Sequence, residues 1–400
     1  MRILIIGYGL TGRSIKDYFD KYQNNVYIYD EKVVDDQNYY SYEKLLNELP
    51  LFDLGIKSPG IKINTKEYLL INSLCREVIS EIDYAYLHME KANIIAITGS
   101  NGKTTLATYL YHFLSQKFHV YLSGNVGFPL INYIDEIKKD DIVILELSSY
   151  QIRDSKYLSC NELFYTSLSP NHLDVYDSLN HYYADKKRAQ LLCKGNIYFL
   201  NEINDIKNIQ TKQFPIVYDF TKDIQNYLEG YYSILYANVA MNYCLTYSFK
   251  KEELLQILKT LKPVEFRLNR VYENKNFLFV NDSKSTTAQS TKYCFESFNQ
   301  LPRILILGGQ HKSSSFDIIK PKVNDLILIY GQDKDKINQQ IQGLLFNNLE
   351  EIFIFLKNFK GKYVVLFSPG CSSHDQYHSF VERGKHFNEL IKKYFGGNNE

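Results

Sequence analysis

A glycine-rich loop with a lysine and two threonines stands between an apolar run and a helical pattern near residue 100. It reads Thr98-Gly99-Ser100-Asn101-Gly102-Lys103-Thr104-Thr105. Backbone N–H groups of such a loop converge on phosphate oxygens, and the N-terminus of the following helix adds positive potential. The spacing predicts that Lys103 meets the β- and γ-phosphates of a nucleotide and that Thr104 binds Mg²⁺. The loop is shorter than the general P-loop pattern, because Ile97 stands where that pattern has glycine.

A carboxylate, Glu146, ends the apolar run at 142–145. A strand-end carboxylate beside a phosphate-binding loop is well placed to hold Mg²⁺, directly or through water. An isolated glutamate in this position is more often a solvated residue. The prediction of a magnesium ligand therefore depends on the neighbouring loop.

A second glycine pattern, Gly7-Tyr8-Gly9-Leu10-Thr11-Gly12, follows an apolar run at 2–6 and precedes a helical pattern at 13–22. Asp30 ends the next predicted strand, an arrangement typical of a nucleotide-binding turn. Asp30 could meet a ribose, as in NAD enzymes, or a base edge, and the glycines could serve helix–strand packing alone. Two nucleotide signatures in one chain suggest that ATP drives chemistry on a substrate that itself carries a nucleotide.

Strand and helix patterns alternate along the chain. Strands are predicted at 2–6, 26–29, 94–97, 142–145, 277–280, 303–307, 326–330 and 363–367. This alternation predicts an α/β protein with parallel, doubly wound sheets. We predict three domains, namely a Rossmann-like domain at 1–90, a central P-loop ATPase domain with a mainly parallel sheet at 91–262, and a second Rossmann-like domain at 263–400. The stretch 84–91 is predicted to be a linker.

The charge balance excludes several classes of protein. The 400 residues hold 46 Lys+Arg and 45 Asp+Glu, a net charge of +1, so no broad basic field would gather nucleic acid or an anionic membrane. Apolar runs are shorter than the roughly 18–20 residues that span a bilayer, and the N-terminus lacks a signal-peptide pattern. The six cysteines are scattered without a C-x-x-C pair, which fits a reducing cytoplasm. We expect a cytoplasmic, monomeric protein without membrane insertion.

Further polar groups follow predicted strands or turns and are only suggestive one by one. They are Asn171-His172-Leu173-Asp174, Lys186 and Lys187 on a helical pattern, Asn281-Asp282-Ser283-Lys284, Lys312 after Gly308-Gly309, and Ser368-Pro369-Gly370-Cys371-Ser372-Ser373.

In chain order, these motifs resemble those of the Mur ligases, the ATP-dependent amide-forming enzymes of peptidoglycan synthesis, and within them the branch that adds D-glutamate. The match includes Ser58-Pro59-Gly60-Ile61, Gly124-Asn125-Val126-Gly127 and Glu146-Leu147-Ser148-Ser149-Tyr150-Gln151. The shorter phosphate loop is this family's form. The resemblance implies three domains that bind a UDP-linked substrate, ATP and the incoming amino acid. The expected small-molecule partners are UDP-N-acetylmuramoyl-L-alanine, ATP and D-glutamate.

The resemblance also assigns roles by position. It implies catalytic roles for Lys103, Glu146, His172 and Lys186, and two Mg²⁺ ions held by Thr104, Glu146, His172 and Lys186, the lysine as a CO₂-derived carbamate. Lys187 is the alternative for the modified lysine. Contacts to the UDP-substrate are implied for Leu10, Thr11, Asp30, Gly60, Asn125 and His172. Contacts to ATP are implied for the phosphate loop, Asn238, Arg267 and Asp282, and contacts to D-glutamate for Lys284, Thr286, Lys312, Ser373 and Phe380.

Alternative functions remain at this stage. A sister ligase would add another amino acid, although the Asp-Asn-Pro-Arg motif of the diamino-acid branch is absent. A folylpolyglutamate synthase would lack a domain like 1–90. An NAD-dependent oxidoreductase or a nucleotide-sensing module could use the N-terminal glycine turn, but it leaves the phosphate loop and Glu146 unexplained.

Overall fold

The computed structural model describes residues 1–22, 24–169, 178–200, 211–311 and 315–396. Its backbone forms three sheets in two compact units. The first unit comprises Met1–Ser169 and Asn180–Pro215 and holds two of the sheets, and the second is made mostly of Ile216–Glu400. The predicted α/β class with parallel sheets is confirmed. The domain boundaries near residues 90 and 262 stay a prediction.

The first sheet has five parallel strands in the order β3-β2-β1-β4-β5. The strands are β1 (Arg2–Ile6), β2 (Asn25–Tyr29), β3 (Tyr39–Tyr40), β4 (Leu54–Lys57) and β5 (Val78–Ser80), and the helices are α1 (Leu10–Lys21), α2 (Tyr42–Glu48), α3 (Lys66–Leu74) and α4 (Glu81–His88). The central strand β1 has β2 on one side and β4 on the other. The order of connections reverses there, which opens the crevice where ligands bind in such sheets.

The second sheet is also parallel, in the order β11-β10-β9-β6-β8-β7. Its strands are β6 (Asn93–Thr98), β7 (Val120–Gly124), β8 (Ile142–Glu146), β9 (Cys160–Tyr165), β10 (Cys193–Phe199) and β11 (Lys212–Gln213), and its helices are α5 (Lys103–Leu114), α6 (Ser149–Asp154) and α7 (Leu179–Arg188). Strand β6 lies between β8 and β9. The phosphate loop therefore emerges beside Glu146 and beside the segment that follows β9.

The third sheet, in the second unit, has the order β12-β13-β17-β14-β15-β16. Its strands are β12 (Asn269–Glu273), β13 (Phe277–Asn281), β14 (Arg303–Gly308), β15 (Leu326–Tyr330), β16 (Leu344–Leu345) and β17 (Tyr363–Gly370). The helices of this unit are α8 (Thr221–Ile224), α9 (Tyr231–Leu245), α10 (Lys251–Leu258), α11 (Ala288–Ser297), α12 (Lys334–Asn338), α13 (Leu349–Lys357) and α14 (Phe380–Phe395). Only β12 among these strands pairs antiparallel, at the edge beside β13. The sequence pattern did not predict this edge strand.

Central strands of all three sheets read as continuous apolar runs because both faces of a parallel sheet are covered. In the first unit one continuous core joins the first sheet, through Ile3 and Phe19, to the second, through Ile94 and Val143. None of the helices in the described part of the chain has both the length and the hydropathy to cross a lipid bilayer.

The predicted linker at 84–91 is wrong for residues 84–88, whereas residues 89–91 lie between α4 and β6, outside any helix or strand. Helix α4 continues to His88 and buries Tyr84 in the core. The first turn of α4 carries two buried acids, Glu81 and Asp83. Glu81 accepts a hydrogen bond from the Ile131 N–H at 2.7 Å, and Asp83 accepts hydrogen bonds from the backbone N–H groups of residues 156–158.

Burial raises the pKa of Glu81 to about 7 from its ordinary 4.5. The folded protein then keeps a proton that the unfolded chain releases near pH 4.5, so the free energy of unfolding should fall as the pH rises from about 4.5 to 7. Glu81→Gln keeps the acceptor oxygen and should flatten this decline, with a higher melting temperature than the parent at pH 8. Scanning calorimetry at pH 5 and 8 measures both, with Glu90→Gln as an exposed control. Parallel pH slopes for parent and variant would contradict the assignment.

Candidate functional site

The phosphate loop joins β6 to α5 through two glycines with positive φ, Gly99 (+144°) and Gly102 (+87°). A Cβ on Gly99 would lie 2.2 Å from Thr166 Oγ1, so only glycine fits there. The first N–H groups of α5 have no partner inside the helix, which makes the loop and the helix start an anion-binding concavity.

Lys103, the first residue of α5, folds back over this loop. Its Nζ donates to the carbonyl oxygens of Gly99 at 3.0 Å and Ser100 at 3.2 Å. The ammonium group is therefore held at the loop, where it can exchange carbonyl contacts for phosphate oxygens. Thr104 and Thr105 follow it in the first turn, and both are buried.

The segment after β9 fastens the phosphate loop, a role that the sequence analysis did not predict. The Ser100 N–H donates to the carbonyl of Ser167 at 2.8 Å, and the Asn101 N–H donates to the Ser167 hydroxyl at 3.0 Å. The Thr166 hydroxyl donates to the Asn101 carbonyl at 2.5 Å. The available signal was the polar run Thr166-Ser167-Leu168-Ser169 directly after an apolar strand.

Glu146 lies at the end of β8 and is 1% exposed. Its Oε1 accepts from Asn125 Nδ2 at 2.9 Å, and the Asn125 N–H donates to the Glu146 carbonyl at 2.9 Å. Within the described residues, Oε2 has no hydrogen-bond partner. A buried carboxylate oxygen without a donor is an acceptor that a hard cation satisfies. The residues present therefore fit a magnesium ion beside the phosphate loop.

Lys186, on α7, is 2% exposed, and its Nζ donates to Thr98 Oγ1 at 2.9 Å. Burial lowers the pKa of Lys186 well below its ordinary value, and the positive charge of Lys103 lowers it further. The charges of Glu146 and Asp185 act in the opposite direction. Lys103, Glu146 and Lys186 thus share one electrostatic neighbourhood, whereas the alternative Lys187 is only half-buried.

Tyr182 also belongs to this neighbourhood and was not predicted. Its hydroxyl lies 2.9 Å from Ser100 Oγ, and its ring centroid lies 5.9 Å from Lys186 Nζ. The side chain is fully buried. It connects α7 to the phosphate loop, so the position of Lys186 depends on that loop.

In the N-terminal glycine turn, residues 7–12, the backbone at Gly12 lies directly against the backbone at Gly7. A Cβ on Gly12 would lie 2.1 Å from the Gly7 carbonyl, so the helix packs directly on the strand. Asp30 accepts the Tyr8 N–H at 2.6 Å and the Lys32 N–H at 2.8 Å, one with each carboxylate oxygen. The structure therefore engages Asp30 in shaping the turn.

Open space borders this turn. A Cβ on Gly9 or on Gly60 would meet no atom within 4 Å. Leu10 is 67% exposed, and Thr11 is half-buried beside it. These predicted UDP-contact residues thus face a surface that a ligand can reach.

In the second unit, Asp282 is buried after β13 and holds neighbouring loops together. Its Oδ2 accepts from the hydroxyls of Ser285 at 2.5 Å and Ser368 at 2.7 Å, and Oδ1 accepts from the Leu268 N–H at 3.3 Å. Burial raises the pKa of Asp282, against the lowering effects of these hydroxyls and of the Arg267 charge. Arg267 Nε is buried without a partner among the described residues.

Two of the predicted D-glutamate residues lie together, since Lys284 Nζ is 5.4 Å from the centroid of the Phe380 ring. Ser373 is buried and Thr286 is half-buried. A fully buried arginine, Arg383, was not predicted. It donates to the Ser283 carbonyl at 2.8 Å and the Cys371 carbonyl at 3.0 Å and so joins the loops after β13 and β17.

Asn238, predicted to contact adenine, lines a cavity of about 620 Å³ beside the aromatic rings of Tyr232 and Tyr293, whose centroids are 4.2 Å apart. Its Oδ1 accepts the Phe220 N–H at 3.2 Å, so the side chain also has a structural role. His172 and Lys312, two further predictions, lie outside the described residues. Within the described ranges, no three His, Cys, Asp or Glu side chains form a metal-binding group.

This chain is similar to several known proteins. A family profile described as the Mur ligase middle domain matches residues 97–261. A protein from Caldicellulosiruptor bescii named UDP-N-acetylmuramoylalanine--D-glutamate ligase is 27% identical, over 98% of this chain and 97% of that protein. A protein of the same name from Francisella tularensis (strain SCHU S4) is 29% identical, over 98% of this chain and 95% of that protein.

Solved structures show the same fold. UDP-N-acetylmuramate-alanine ligase MurC from Thermotoga maritima superposes with a TM-score of 0.58 at 15% identity, over 98% of this chain and 99% of that one. The MurF ligase from Thermotoga maritima in complex with ADP also superposes with a TM-score of 0.58, at 14% identity, over 98% of this chain and 95% of that one. The family profile covers the phosphate loop, Glu146 and Lys186, and the relatives match nearly the full chain, so the similarity of this chain to the Mur ligases extends over almost its whole length.

Proposed function

We propose that this chain is an ATP-dependent ligase that joins D-glutamate to UDP-N-acetylmuramoyl-L-alanine in peptidoglycan synthesis. The observation that carries the proposal is the cluster of Lys103, Glu146 and Lys186 at the phosphate loop. The relatives that match over nearly the whole chain are named for this reaction. The oxidoreductase alternative has no support among them.

In the first step, the substrate carboxylate attacks the γ-phosphorus of ATP and forms an acyl phosphate, and ADP leaves. Such a transfer depends on positioning and on neutralising charge. Lys103 would exchange its contacts with Gly99 and Ser100 for the phosphate oxygens. The hydrogen bonds between the phosphate loop and residues 166–169 keep Lys103 and the backbone N–H groups of the loop in place during the reaction.

Thr104 and Glu146 Oε2 would hold one Mg²⁺, and His172 with a modified Lys186 would hold a second. When bound, magnesium neutralises phosphate charge and aligns the transferred group. Asn125 occupies Oε1 of Glu146 and so leaves Oε2 as the oxygen for the cation.

Lys186 would become a carbamate. A deprotonated amine attacks CO₂, a nitrogen–carbon bond forms, and the nitrogen loses a proton to solvent. Burial lowers the pKa of Lys186 and thereby favours the deprotonated amine. The product carries a negative charge beside the positive charge of Lys103 and offers oxygen atoms as metal ligands.

In the second step, the D-glutamate amine attacks the activated carbonyl and forms a carbon–nitrogen bond in a tetrahedral intermediate. The nitrogen then loses a proton to solvent, the carbon–oxygen bond to the phosphate breaks, and phosphate leaves. In this proposal Lys284, Thr286, Lys312, Ser373 and Phe380 bind the amino acid, and Asn238, Arg267 and Asp282 contact ATP. The enzyme would act as a monomer in the bacterial cytoplasm.

Lys103→Ala should lower ATP turnover by at least about 100-fold, because the main cation for the phosphates is lost. Binding of UDP-N-acetylmuramoyl-L-alanine should remain. Phosphate release and calorimetry measure the two quantities, with exposed Lys139→Ala as the control. Unchanged turnover would refute the assignment of the phosphate loop.

Phosphate release should be stimulated by D-glutamate and not by L-glutamate, L-alanine or diaminopimelate. The assay contains ATP, Mg²⁺ and UDP-N-acetylmuramoyl-L-alanine, and each amino acid is added separately. Stimulation by another of these amino acids would instead identify a sister ligase. A requirement for NAD would support an oxidoreductase.

Lys186→Ala should lose on the order of 100-fold in activity, as the loss of a metal-positioning group does. Added acetate or formate should restore part of it, because a free carboxylate can replace the carbamate oxygens. Carbon-13 NMR of the parent protein under labelled CO₂ should show a carbamate signal that disappears in Lys186→Ala and persists in Lys187→Ala. The reverse pattern would move the modification to Lys187.

A further inference from the structure

The last residue of β4, Lys57, is a buried lysine with an exposed fraction of 3%. Its Nζ contacts three oxygens, the carbonyls of Ser58 at 3.0 Å and Ile61 at 3.3 Å and the Asp154 carboxylate at 2.5 Å. All three hydrogens of the ammonium group thus have acceptors. The two carbonyls belong to the loop 58–61, so Lys57 holds the beginning and the end of that loop together.

Asp154 lies at the end of α6, in the second sheet's part of the same unit, and is 7% exposed. Its other oxygen accepts from Arg153 Nε at 2.9 Å. Helix α6 follows β8, the strand that ends at Glu146. The ion pair therefore joins the loop after β4 to the chain segment that begins at the magnesium-binding candidate.

The loop 58–61 forms one wall of the N-terminal glycine turn. Ser58 Oγ donates to the Gly7 carbonyl at 2.8 Å, and a Cβ on Gly7 would lie 2.9 Å from Ile61 Cγ1. Gly60 in the loop and Gly9 in the turn both border open space. A small displacement of the loop would thus change the shape of the surface that the substrate reaches.

A buried ion pair is a poor way to stabilise a fold, because desolvation offsets most of the attraction. Burial lowers the pKa of Lys57, while the charge of Asp154 raises it. Apolar residues of similar volume would fill this position at no such cost. Apolar residues could not, however, donate hydrogen bonds to the two carbonyl oxygens of the loop 58–61. This indicates that the role of the pair is to fix the conformation of that loop.

We infer that Lys57 and Asp154 are positioning residues for the nucleotide-sugar substrate. Together they hold the loop 58–61 against the glycine turn and fix its position relative to the segment that begins at Glu146. This inference rests on the proposed function, which assigns that surface to a UDP-linked substrate.

The double variant Lys57→Met with Asp154→Leu tests the inference, because it removes both charges and leaves neither one buried alone. Its melting temperature should fall by a few degrees at most, because the loss of a donor to the carbonyls of Ser58 and Ile61 is partly offset by removing the desolvation cost of the buried pair. Its KM and its calorimetric Kd for UDP-N-acetylmuramoyl-L-alanine should rise about tenfold, the factor that corresponds to one charge-assisted hydrogen bond. The KM for ATP and kcat at saturating substrate should stay unchanged. A merely structural pair would instead leave the Kd and KM for the UDP-substrate at their parental values.

Single variants and a control sharpen the test. Asp154→Asn keeps the lysine at the loop carbonyls and should raise the Kd less than the double variant does, and Lys57→Arg should recover part of the affinity. Lys138→Met removes a charge from the exposed pair with Glu90 in the same unit and should change neither constant. If the double variant bound the UDP-substrate with parental affinity, this inference would be overturned and the proposed function would be unaffected. Failure of the parent protein to bind UDP-N-acetylmuramoyl-L-alanine would overturn the proposed function.

Discussion

Buried charge at the carboxyl ends of parallel strands is the constraint on which the first unit's site depends. Glu146, Lys186 and Lys103 lie close enough to influence one another, and two of them are almost fully buried. Charges in such places persist only when opposite charges, hydrogen bonds or a bound ion compensate them. The oxygen of Glu146 without a partner among the described residues and the lowered pKa of Lys186 have the same cause: the protein's own groups only partly compensate these buried charges. In the proposed function, a nucleotide with magnesium supplies the missing groups.

In each unit, the loops that follow the strands are held by their own polar groups. Residues 100–101 are hydrogen-bonded to the segment after β9, Asp30 holds the turn after β1, and Asp282 holds the loop after β13. In the second unit, Arg383 joins two strand-end loops through their carbonyl oxygens. Groups fixed in this way need little reorganisation when a ligand arrives, which favours catalysis by positioning and charge neutralisation.

Local patterns predicted the α/β class and eight of the 17 strands in the described part of the chain. Continuous apolar runs followed by glycine or polar turns marked these eight strands, because parallel strands covered on both faces need apolar residues throughout. The interior strands β4 and β9 were missed. The edge strand β12 escaped prediction, since a half-exposed strand lacks that signal. Residues 84–88 were predicted to be part of a linker but belong to helix α4, which is held in place by Glu81 and Asp83 through partners about 50 to 75 residues away in the chain.

Residue types at short, regular spacings were enough to identify the phosphate loop, the glycine turn, the strand-end carboxylate and the resemblance to the Mur ligases. The folded chain was needed to show that Lys186 is the buried lysine beside Lys103 and Glu146. It was also needed to show that Asp30 is engaged with its own turn and that Lys57 pairs with Asp154. Burial, a pKa and an ion pair all depend on which distant segments meet, and spacing along one chain does not contain that information.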